Sequence, residues 1–170
     1  MAEVRELSGA ELTEALPSLV NILCACVDDG ASIGFLRPMS RELALGFWHD
    51  AAQSAASGAR RIFGVPENNI LEGSVQLIPI QIQNQPHRAE IAKLIVHPQA
   101  RRKGHARALM LKAEAVARSA GRTLITLDTA GAAAAALYES LGYTRCGGVP
   151  GFALDADGRP EANIFYFKSL

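Results

Sequence analysis

The chain has 170 residues, of which 49% are hydrophobic and 20% are charged. This length and composition suit a single globular domain over residues 1–170 and exclude a disordered chain. Seventeen basic residues balance seventeen acidic ones, which argues against nucleic acid as the main partner, because phosphate binding normally leaves a net basic footprint.

Neither secretion nor membrane insertion is expected. The N-terminal residues lack the apolar core of a signal peptide, and no apolar run is expected to be long enough to cross a bilayer. The three cysteines, Cys24, Cys26 and Cys146, are expected to be free thiols, with no role in binding a metal. We therefore expect a cytoplasmic protein without a metal and without a membrane partner.

Helices dominate the predicted N-terminal part. Leucine and valine residues at helical spacing predict a first helix, which Pro17 is expected to kink or split. Ser40 is a good N-cap for a second helix. The elements predicted here are a strand over 4–7, a helix over 9–29, a loop over 31–38 and a helix over 40–58.

Strands are predicted through the middle of the chain. Proline is expected to break the second strand at Pro79 and to end the third at Pro98, because it cannot donate to a ladder. The predicted elements are strands over 60–65, 71–83 and 88–97, with turns at 66–69 and 84–87. Alternation along the third strand predicts two faces. One face would carry Glu90, Ala92, Leu94 and Val96, and the other Ala89, Ile91, Lys93 and Ile95.

The C-terminal part is predicted to alternate between strands and helices. An apolar stripe at helical spacing predicts the strongest helix of the chain over 101–120, and Gly121 is expected to stop it. The remaining predictions are a strand over 123–128, a helix over 131–141, a strand beginning at 143–146, a loop over 147–160 and a strand over 164–168. This order of elements indicates an α/β fold.

The segment Arg101-Arg102-Lys103-Gly104-His105-Ala106 carries the most chemical information. It lies between a strand and a helix, where unpaired N–H groups and the positive end of the helix dipole favour a bound phosphate. Three cations at this point oppose the dipole by ~0.3–1 kcal/mol each, a cost that is easier to understand if an anion binds there. Taken alone, the segment is equally compatible with a basic helix start in solvent.

Two motifs together carry a family resemblance. Arg-x-x-Gly-x-Ala at 101–106, after a strand ending Leu94-Ile95-Val96-His97-Pro98, resembles the pyrophosphate-binding motif of the GNAT superfamily of N-acetyltransferases. Further along, Leu137-Tyr138-Glu139-Ser140-Leu141-Gly142-Tyr143 resembles the second signature of that superfamily. Their order and spacing make the resemblance strong, and it covers roughly residues 71–168.

The resemblance implies an α/β (α+β) fold with a mixed, mostly antiparallel central sheet of about six or seven strands. Helices would flank both faces, and the sheet would splay between its fourth and fifth strands. It also implies acetyl-CoA as the cosubstrate and no metal. The residues expected to bind acetyl-CoA are Leu94, Ile95, Val96, Arg101, Arg102, Lys103, Gly104, His105, Ala106 and Tyr138.

The resemblance also implies roles for parts of this set. The backbone of Leu94 and Val96 would pair with the pantetheine arm as an added strand. The N–H groups from Arg102 to Ala106 would hold the pyrophosphate, and the N–H of Val96 would polarise the thioester carbonyl. Gly131 stands where many relatives have an asparagine, so no side-chain hydrogen bond to the pantetheine is expected there.

Three residues are the catalytic candidates. Tyr138 would protonate the leaving thiolate. Glu90 and Asp128 are candidates for the general base, and as a neighbouring pair they could relay a proton through water. An equally weighted alternative is that Glu90 pairs with Arg88 or Lys93, while Asp128 caps the following turn.

Other features have two interpretations. His105 faces the expected phosphate, but a solvated histidine is the favoured interpretation. Phe35, Trp48 and Phe152 either line the acceptor pocket or belong to the core and its rim.

The predicted function is direct transfer of an acetyl group from acetyl-CoA to the primary amine of a small molecule, within a ternary complex. The resemblance suggests an amino-acid-like toxin, antibiotic or metabolite as the acceptor, and it allows a homodimer. The alternatives are a peptide or protein amine as the acceptor, a CoA-binding regulatory module without catalysis, and a binder of nucleotide phosphates.

Overall fold

The computed structural model describes residues 3–67 and 70–170, and a seven-stranded sheet runs through it. The predicted turn at 66–69 falls partly on Asn68 and Asn69, which lie outside the described residues. The strands are β1 (Arg5–Leu7), β2 (Arg61–Glu67), β3 (Ile70–Pro79), β4 (Arg88–Val96), β5 (Leu124–Thr129), β6 (Thr144–Leu154) and β7 (Pro160–Ser169). The helices are α1 (Gly9–Asp28), α2 (Arg41–Ala56), α3 (His105–Ser119) and α4 (Ala132–Ser140).

The strand order in the sheet is β1-β2-β3-β4-β5-β7-β6. Neighbouring strands are antiparallel, except for β4 and β5, which run parallel. Helices cover both faces: the core cluster on one face contains residues of α1 and α2, and the cluster on the other contains residues of α3 and α4. The prediction of a mixed, mostly antiparallel sheet flanked by helices is therefore confirmed.

Helix α1 is continuous through Pro17, so the predicted split does not occur. It is also 20 residues long with a mean hydropathy of 1.4, which is long and apolar enough to cross a membrane. The expectation that no segment reaches that length is therefore wrong. Helix α1 is apolar because it buries Leu19, Leu23 and Val27, among others, in the core cluster that it shares with α2. A helix buried in a core needs the same kind of apolar residues as a helix that crosses a membrane.

Glycine and proline cause two differences between the predicted and observed strands. Strand β3 ends at Pro79, so the predicted extension to residue 83 is wrong. Conversely, much of the predicted loop over 147–160 belongs to β6 and β7, which pair with register shifts on β6. Bulges of this kind let an edge strand include glycine and proline. Gly148 packs closely on β7, because a Cβ there would lie 2.7 Å from Ile164 Cδ1 and would require that side chain to move.

The helix predicted from residue 101 begins at His105. A short 3₁₀ turn at Pro98–Ala100 follows β4, and residues 101–104 then form a separate turn. Arg102 and Gly104 have φ angles of 69° and 86°. These left-handed residues prevent the helix from starting earlier and leave its first N–H groups exposed on a tight turn.

Candidate active site

Strands β4 and β5 separate part-way along their length. They pair only as far as Glu90 and Thr126, although β4 continues to Val96 and β5 to Thr129. Past that point each strand presents an edge without a strand partner, and a cleft opens between them. This opening is the predicted splay between the fourth and fifth strands.

A β-bulge in β4 lies beside the cleft. Lys93 and Leu94 together oppose a single residue of β3, Val75, which is the arrangement that defines a bulge. Lys93 has a φ angle of 49°, a left-handed conformation that costs of order 1–3 kcal/mol for a residue other than glycine. Strain of this kind concentrates at functional sites, where it fixes the direction of backbone and side chains.

The bulge shifts the alternation of side chains along β4. Leu94 and Val96 pack toward α3 and α4, whereas Ile95 lies in the core cluster under α1 and α2. Glu90 points to the α1–α2 side, because its neighbours Ala89 and Ile91 pack on the opposite side. The prediction that Glu90, Ala92, Leu94 and Val96 share one face is therefore wrong, since the extra residue changes the phase of the strand.

The backbone of Val96 is directed into the cleft. The N–H of His97 donates to the carbonyl of Glu72 on β3 at 2.8 Å, so the N–H and C=O of Val96, one residue earlier, point away from β3. Strand β5 no longer pairs with β4 at this level. The C=O of Val96 accepts a hydrogen bond from the Cys26 thiol, with 3.3 Å between sulfur and oxygen. The N–H of Val96 can therefore donate to a molecule in the cleft.

The turn over 101–106 presents unpaired amides. Gly104 is the N-cap of α3 and offers no side-chain cap. Within the described part of the chain, no group accepts a hydrogen bond from the N–H groups of residues 102–107, and the first bond of this region is from Ala108 N–H to the Gly104 carbonyl. Unpaired amides at the start of a 15-residue helix form a favourable site for an anion.

The basic side chains of this turn differ from the prediction. Arg101 pairs with Asp29 at 2.6 Å, and Lys103 pairs with Glu67 at 2.5 Å. Arg102 is exposed and has no ion pair among the described residues. The cost of placing cations at this helix start is therefore offset largely by carboxylates of the chain itself, and the amides are the stronger indication of an anion site.

The side chain of His105 points away from that anion site. It is only 5% exposed, and its Nε2 lies 2.8 Å from a carboxylate oxygen of Glu72. The expectation of a solvated histidine is wrong, because Glu72 on β3 holds the ring between the strand and α3. Glu67, Glu72 and His105 offer ligand atoms within 4.8 Å of one another, and Lys103 lies among them, 3.3 Å from Glu72.

Tyr138 is buried at the inner face of α4. Its ring centroid lies 5.8 Å from that of Tyr143 and 6.0 Å from that of Tyr166. Burial raises the pKa of the Tyr138 phenol far above its usual value, and the negative charge of Asp128 raises it further. The phenol is therefore protonated throughout the physiological range and is able to donate a hydrogen bond or a proton.

Asp128 lies at the end of β5, where Asn163 of β7 holds it. Asn163 Nδ2 donates to Asp128 Oδ2 at 2.6 Å. Asn163 itself is 8% exposed, and its Oδ1 is buried with no donor in the described structure. The alternative in which Asp128 caps the following turn is wrong, because the N–H of Gly131 donates to Thr129 Oγ1 at 3.0 Å.

Glu90 is partly exposed and lies beside Arg88. Its carboxylate lies 3.7 Å from Arg88 Nη1, and 41% of its side chain is exposed. The alternative pairing with Arg88 is thus the one observed, whereas Lys93 donates to the Ile33 carbonyl at 2.7 Å. No direct contact joins Glu90 to Asp128 among the described side chains.

Comparison with known proteins decides the family. Residues 17–143 match the profile of a family described as the acetyltransferase (GNAT) family. The chain belongs to this family. It is therefore an acetyltransferase, and the family resemblance drawn from the two motifs is confirmed.

Solved structures with the same fold agree with this assignment. A ribosomal-protein-alanine N-acetyltransferase from Brucella melitensis is 22% identical, with a TM-score of 0.82 and 99% of each chain covered. A putative acetyltransferase from Salmonella typhimurium, yncA, solved with its cofactor acetyl-CoA, is 20% identical, with a TM-score of 0.80 and coverage of 100% of this chain and 94% of the other. A phosphinothricin acetyltransferase from Sinorhizobium meliloti in complex with acetyl-CoA is 20% identical, with a TM-score of 0.79 and coverage of 99% and 88%.

The three aromatic residues suggested for the acceptor pocket of this acetyltransferase have different surroundings. Trp48 is fully buried and donates to the Leu19 carbonyl at 3.0 Å, so it is a core residue. Phe35 is half-buried, and its ring centroid lies 5.7 Å from Lys93 Nζ, close to the cleft. Phe152 is 53% exposed on β6.

Sequence reasoning overlooked three residues of this acetyltransferase that lie around the cleft. They are Cys26, which binds the Val96 carbonyl, Asn163, which binds Asp128, and Lys93 at the bulge. A polar residue in an otherwise apolar strand was a usable signal for Lys93 and Asn163, since such residues need a partner when buried. Nothing in the sequence pattern distinguishes Cys26 from an ordinary core cysteine.

Proposed function

We propose that this acetyltransferase moves the acetyl group of acetyl-CoA directly to the primary amine of a small, amino-acid-like molecule. The observation that carries the proposal is the β4–β5 cleft with the uncapped turn over 101–106 at one end and Tyr138 and Asp128 beside it. Membership of the family indicates the type of reaction, and the roles proposed below are based on the residues around the cleft.

The cofactor would bind along the open edge of β4. The pantetheine arm carries amides that can pair with the backbone of Leu94 and Val96 as an added strand. The amides from Arg102 to Ala106 would bind the pyrophosphate, and Arg102 would add charge. Together with Ile95, Arg101, Lys103, Gly104 and His105, which contribute backbone to this surface, these residues form the proposed acetyl-CoA site.

The chemical step would begin with an uncharged amine. Asp128 takes a proton from the ammonium of the acceptor, directly or through water, and the amine nitrogen then attacks the thioester carbon. The N–H of Val96 donates to the carbonyl oxygen as negative charge develops on it. The C–S bond breaks, and Tyr138 donates a proton to the sulfur, so that CoA leaves as a thiol. The amide nitrogen gives up its second proton, directly or through water, and this proton restores the Tyr138 phenol.

Asp128 is the preferred base of the two candidates. Asn163 donates to its carboxylate at 2.6 Å, and the charge of Asp128 contributes to the raised pKa of the Tyr138 phenol, after burial. Glu90 instead lies beside Arg88, with 3.7 Å between its carboxylate and Arg88 Nη1. In this scheme Glu90 contributes to the acceptor side of the cleft through its negative charge.

The acceptor class is the finer part of the proposal. Solved structures of the same fold include one acetyltransferase named for a ribosomal protein and one named for phosphinothricin. The fold is therefore compatible with either a protein or a small molecule as the acceptor. A small molecule is favoured by stretches that resemble tabtoxin resistance protein, which include Gly30-Ala31-Ser32-Ile33-Gly34-Phe35 and Val149-Pro150-Gly151-Phe152. This resemblance is also the basis for proposing a role in toxin or antibiotic resistance.

The proposal extends to the cellular compartment and the oligomeric state. All three cysteines are free thiols, which suits a reducing compartment such as the cytoplasm. The exposed side chains of Val149, Phe152 and Leu154 on β6 would give a homodimer an apolar surface on which to form.

The test is steady-state release of CoA thiol from acetyl-CoA in the presence of small amines, amino acids and short peptides. The proposal expects release that depends on the amine and is fastest with a small molecule. A regulatory module would bind acetyl-CoA and release no thiol with any amine. Faster turnover of peptides than of every free amine would contradict the proposal that the acceptor is a small molecule. Displacement of bound acetyl-CoA by nucleotides, without thiol release, would contradict the proposal that acetyl-CoA is the cosubstrate.

A further inference from the structure

Two half-buried cations on the α1–α2 side of the cleft lack a carboxylate partner among the described residues. Lys93 Nζ donates to the Ile33 carbonyl at 2.7 Å. Arg60 donates to Ser54 Oγ at 3.1 Å and to Gln76 Oε1 at 2.5 Å. An ammonium group carries three donors, so Lys93 has two that these contacts leave unfilled.

Lys93 lies on β4 just beyond the last residue that pairs with β5. It follows Glu90, the last β4 residue paired with β5, and the bulge turns its side chain toward α1 and α2. Its Nζ lies 5.7 Å from the ring centroid of Phe35 and 5.8 Å from that of Phe47. Burial lowers the pKa of Lys93, and the charge of Asp128 partly offsets this effect. Lys93 and Asp128 are therefore close enough to interact without forming an ion pair.

The opposite side of the cleft offers acceptors of hydrogen bonds. Asp128 is exposed and, among the residues that the structure describes, accepts only from Asn163. The Oδ1 of Asn163 is buried and has no donor in the described structure. Asp128 is thus the accessible acceptor on this side of the cleft, and Asn163 holds its carboxylate in place. The cleft thus has a site for a cation near β5 and β7 and a site for an anion at the bulge of β4.

We propose that Lys93 binds the carboxylate of the acceptor while Asp128, held by Asn163, receives its amine, so that the acceptors are amino acids and related molecules with a carboxylate near the amine. This inference rests on the proposed function and narrows its substrate class. Gly34 lies against Lys93, since a Cβ there would be 3.3 Å from Nζ, so the loop before α2 closes over this carboxylate site.

The experiment compares each L-amino acid with its L-amino acid amide, which has the same side chain and amine but no carboxylate. Thiol release is measured with both series, and rates are expressed per neutral amine, because amides are less basic. For the wild type we expect kcat/KM to be at least about tenfold higher with the acid than with its amide, the effect of one hydrogen-bonded charge pair.

Two variants assign the preference to Lys93. In Lys93→Met, kcat/KM with the acids should fall about tenfold to a hundredfold, mainly through KM, and kcat/KM with the amides should fall much less. Lys93→Arg should keep most of the preference, because it retains the charge. Lys112→Met, which removes an exposed lysine of α3, is the matched control and should behave as the wild type.

Equal rates for acids and amides in the wild type would overturn the inference, whatever the variants do. An equal loss of activity toward acids and amides in Lys93→Met would also overturn it, because it would show that Lys93 only ties the loop to β4. Acetyl-CoA binding and thermal unfolding of each variant separate this outcome from misfolding. Thiol release with amides but not with acids contradicts this inference alone, whereas release with neither series contradicts the proposed function.

Discussion

Glu90 and Thr126 are the last residues that β4 and β5 place opposite each other. Beyond this pair, one strand continues through a bulge to Val96 and the other ends beside Asp128. The sheet therefore opens between two interior strands, β4 and β5, at a position where the edge of a strand is normally covered by its neighbour. An exposed strand edge is a template for an extended ligand that carries amides, which is the property that the proposed acetyl-CoA site requires.

Replacing the Tyr138 hydroxyl should affect the chemical step alone. For Tyr138→Phe we expect kcat to fall about a hundredfold, the lower range for a general acid, with an unchanged Kd for acetyl-CoA. Tyr166→Phe is the matched control, because Tyr166 lies in the same cluster but its hydroxyl donates to Glu139 at 3.1 Å. Equal activity of Tyr138→Phe and wild type would remove Tyr138 from the mechanism.

A side chain at the phosphate turn should abolish cofactor binding. Gly104→Glu places a carboxylate beside the unpaired amides, so titration calorimetry should detect no binding of acetyl-CoA. The control is Gly121→Glu at the far end of α3. Gly121 has a similar φ angle of 73° and similar open space around its Cα, so the backbone strain is comparable and only the position differs. If both variants bind acetyl-CoA equally well, the turn is not the phosphate site.

The two carboxylates should differ in their contribution to rate. Asp128→Asn removes the proposed base and should lower kcat by about a hundredfold, whereas Glu90→Gln should lower it by less than about tenfold. Both replacements preserve size and remove charge, so each serves as the control for the other. The reverse order of effects would identify Glu90 as the base and contradict the role given to Asp128.

The ion pair between Glu6 and Arg61 should make stability depend on pH. Arg61 hydrogen-bonds the Glu6 carboxylate and lowers its pKa in the folded protein. A lowered pKa contributes stability above the unfolded value of about 4.3, and this contribution is lost as the pH falls through the lower folded value. Both side chains are about one-third exposed, so solvent screening limits the effect to about 0.5–1 kcal/mol.

Urea unfolding of Glu6→Gln tests this dependence. The variant should be less stable than the wild type at pH 7, and the difference should shrink toward zero at roughly pH 2–3, where the carboxyl group is protonated. Glu14→Gln removes an exposed carboxylate of α1 and serves as the control. A constant difference between Glu6→Gln and wild type at both pH values would show that the ion pair does not stabilise the fold.

Much of the fold could be predicted, because it depends on local patterns. Hydrophobic periodicity located the four helices and most strands, and the sequence around Gly104 located the turn before α3. The length of β6 could not be predicted, because glycine and proline are favoured in loops, and only the pairing with β7 makes this segment a strand.

The details of the site were harder to predict, because they depend on contacts that are distant in sequence. The bulge at Lys93 exists only through its register with Val75 on β3. Similarly, the partners of Arg101 and Lys103 are Asp29 and Glu67, which no spacing rule connects to the turn. The charged side chains of the turn therefore indicated the anion site less clearly than its unpaired backbone amides did.

Amide hydrogen exchange with and without acetyl-CoA tests the central claim most directly. The account predicts that acetyl-CoA slows exchange at Val96 and at residues 102–106, while amides of the distant strand β1 keep their rates. Binding of acetyl-CoA that leaves Val96 and the amides of the turn exchanging as in the free protein would contradict the account.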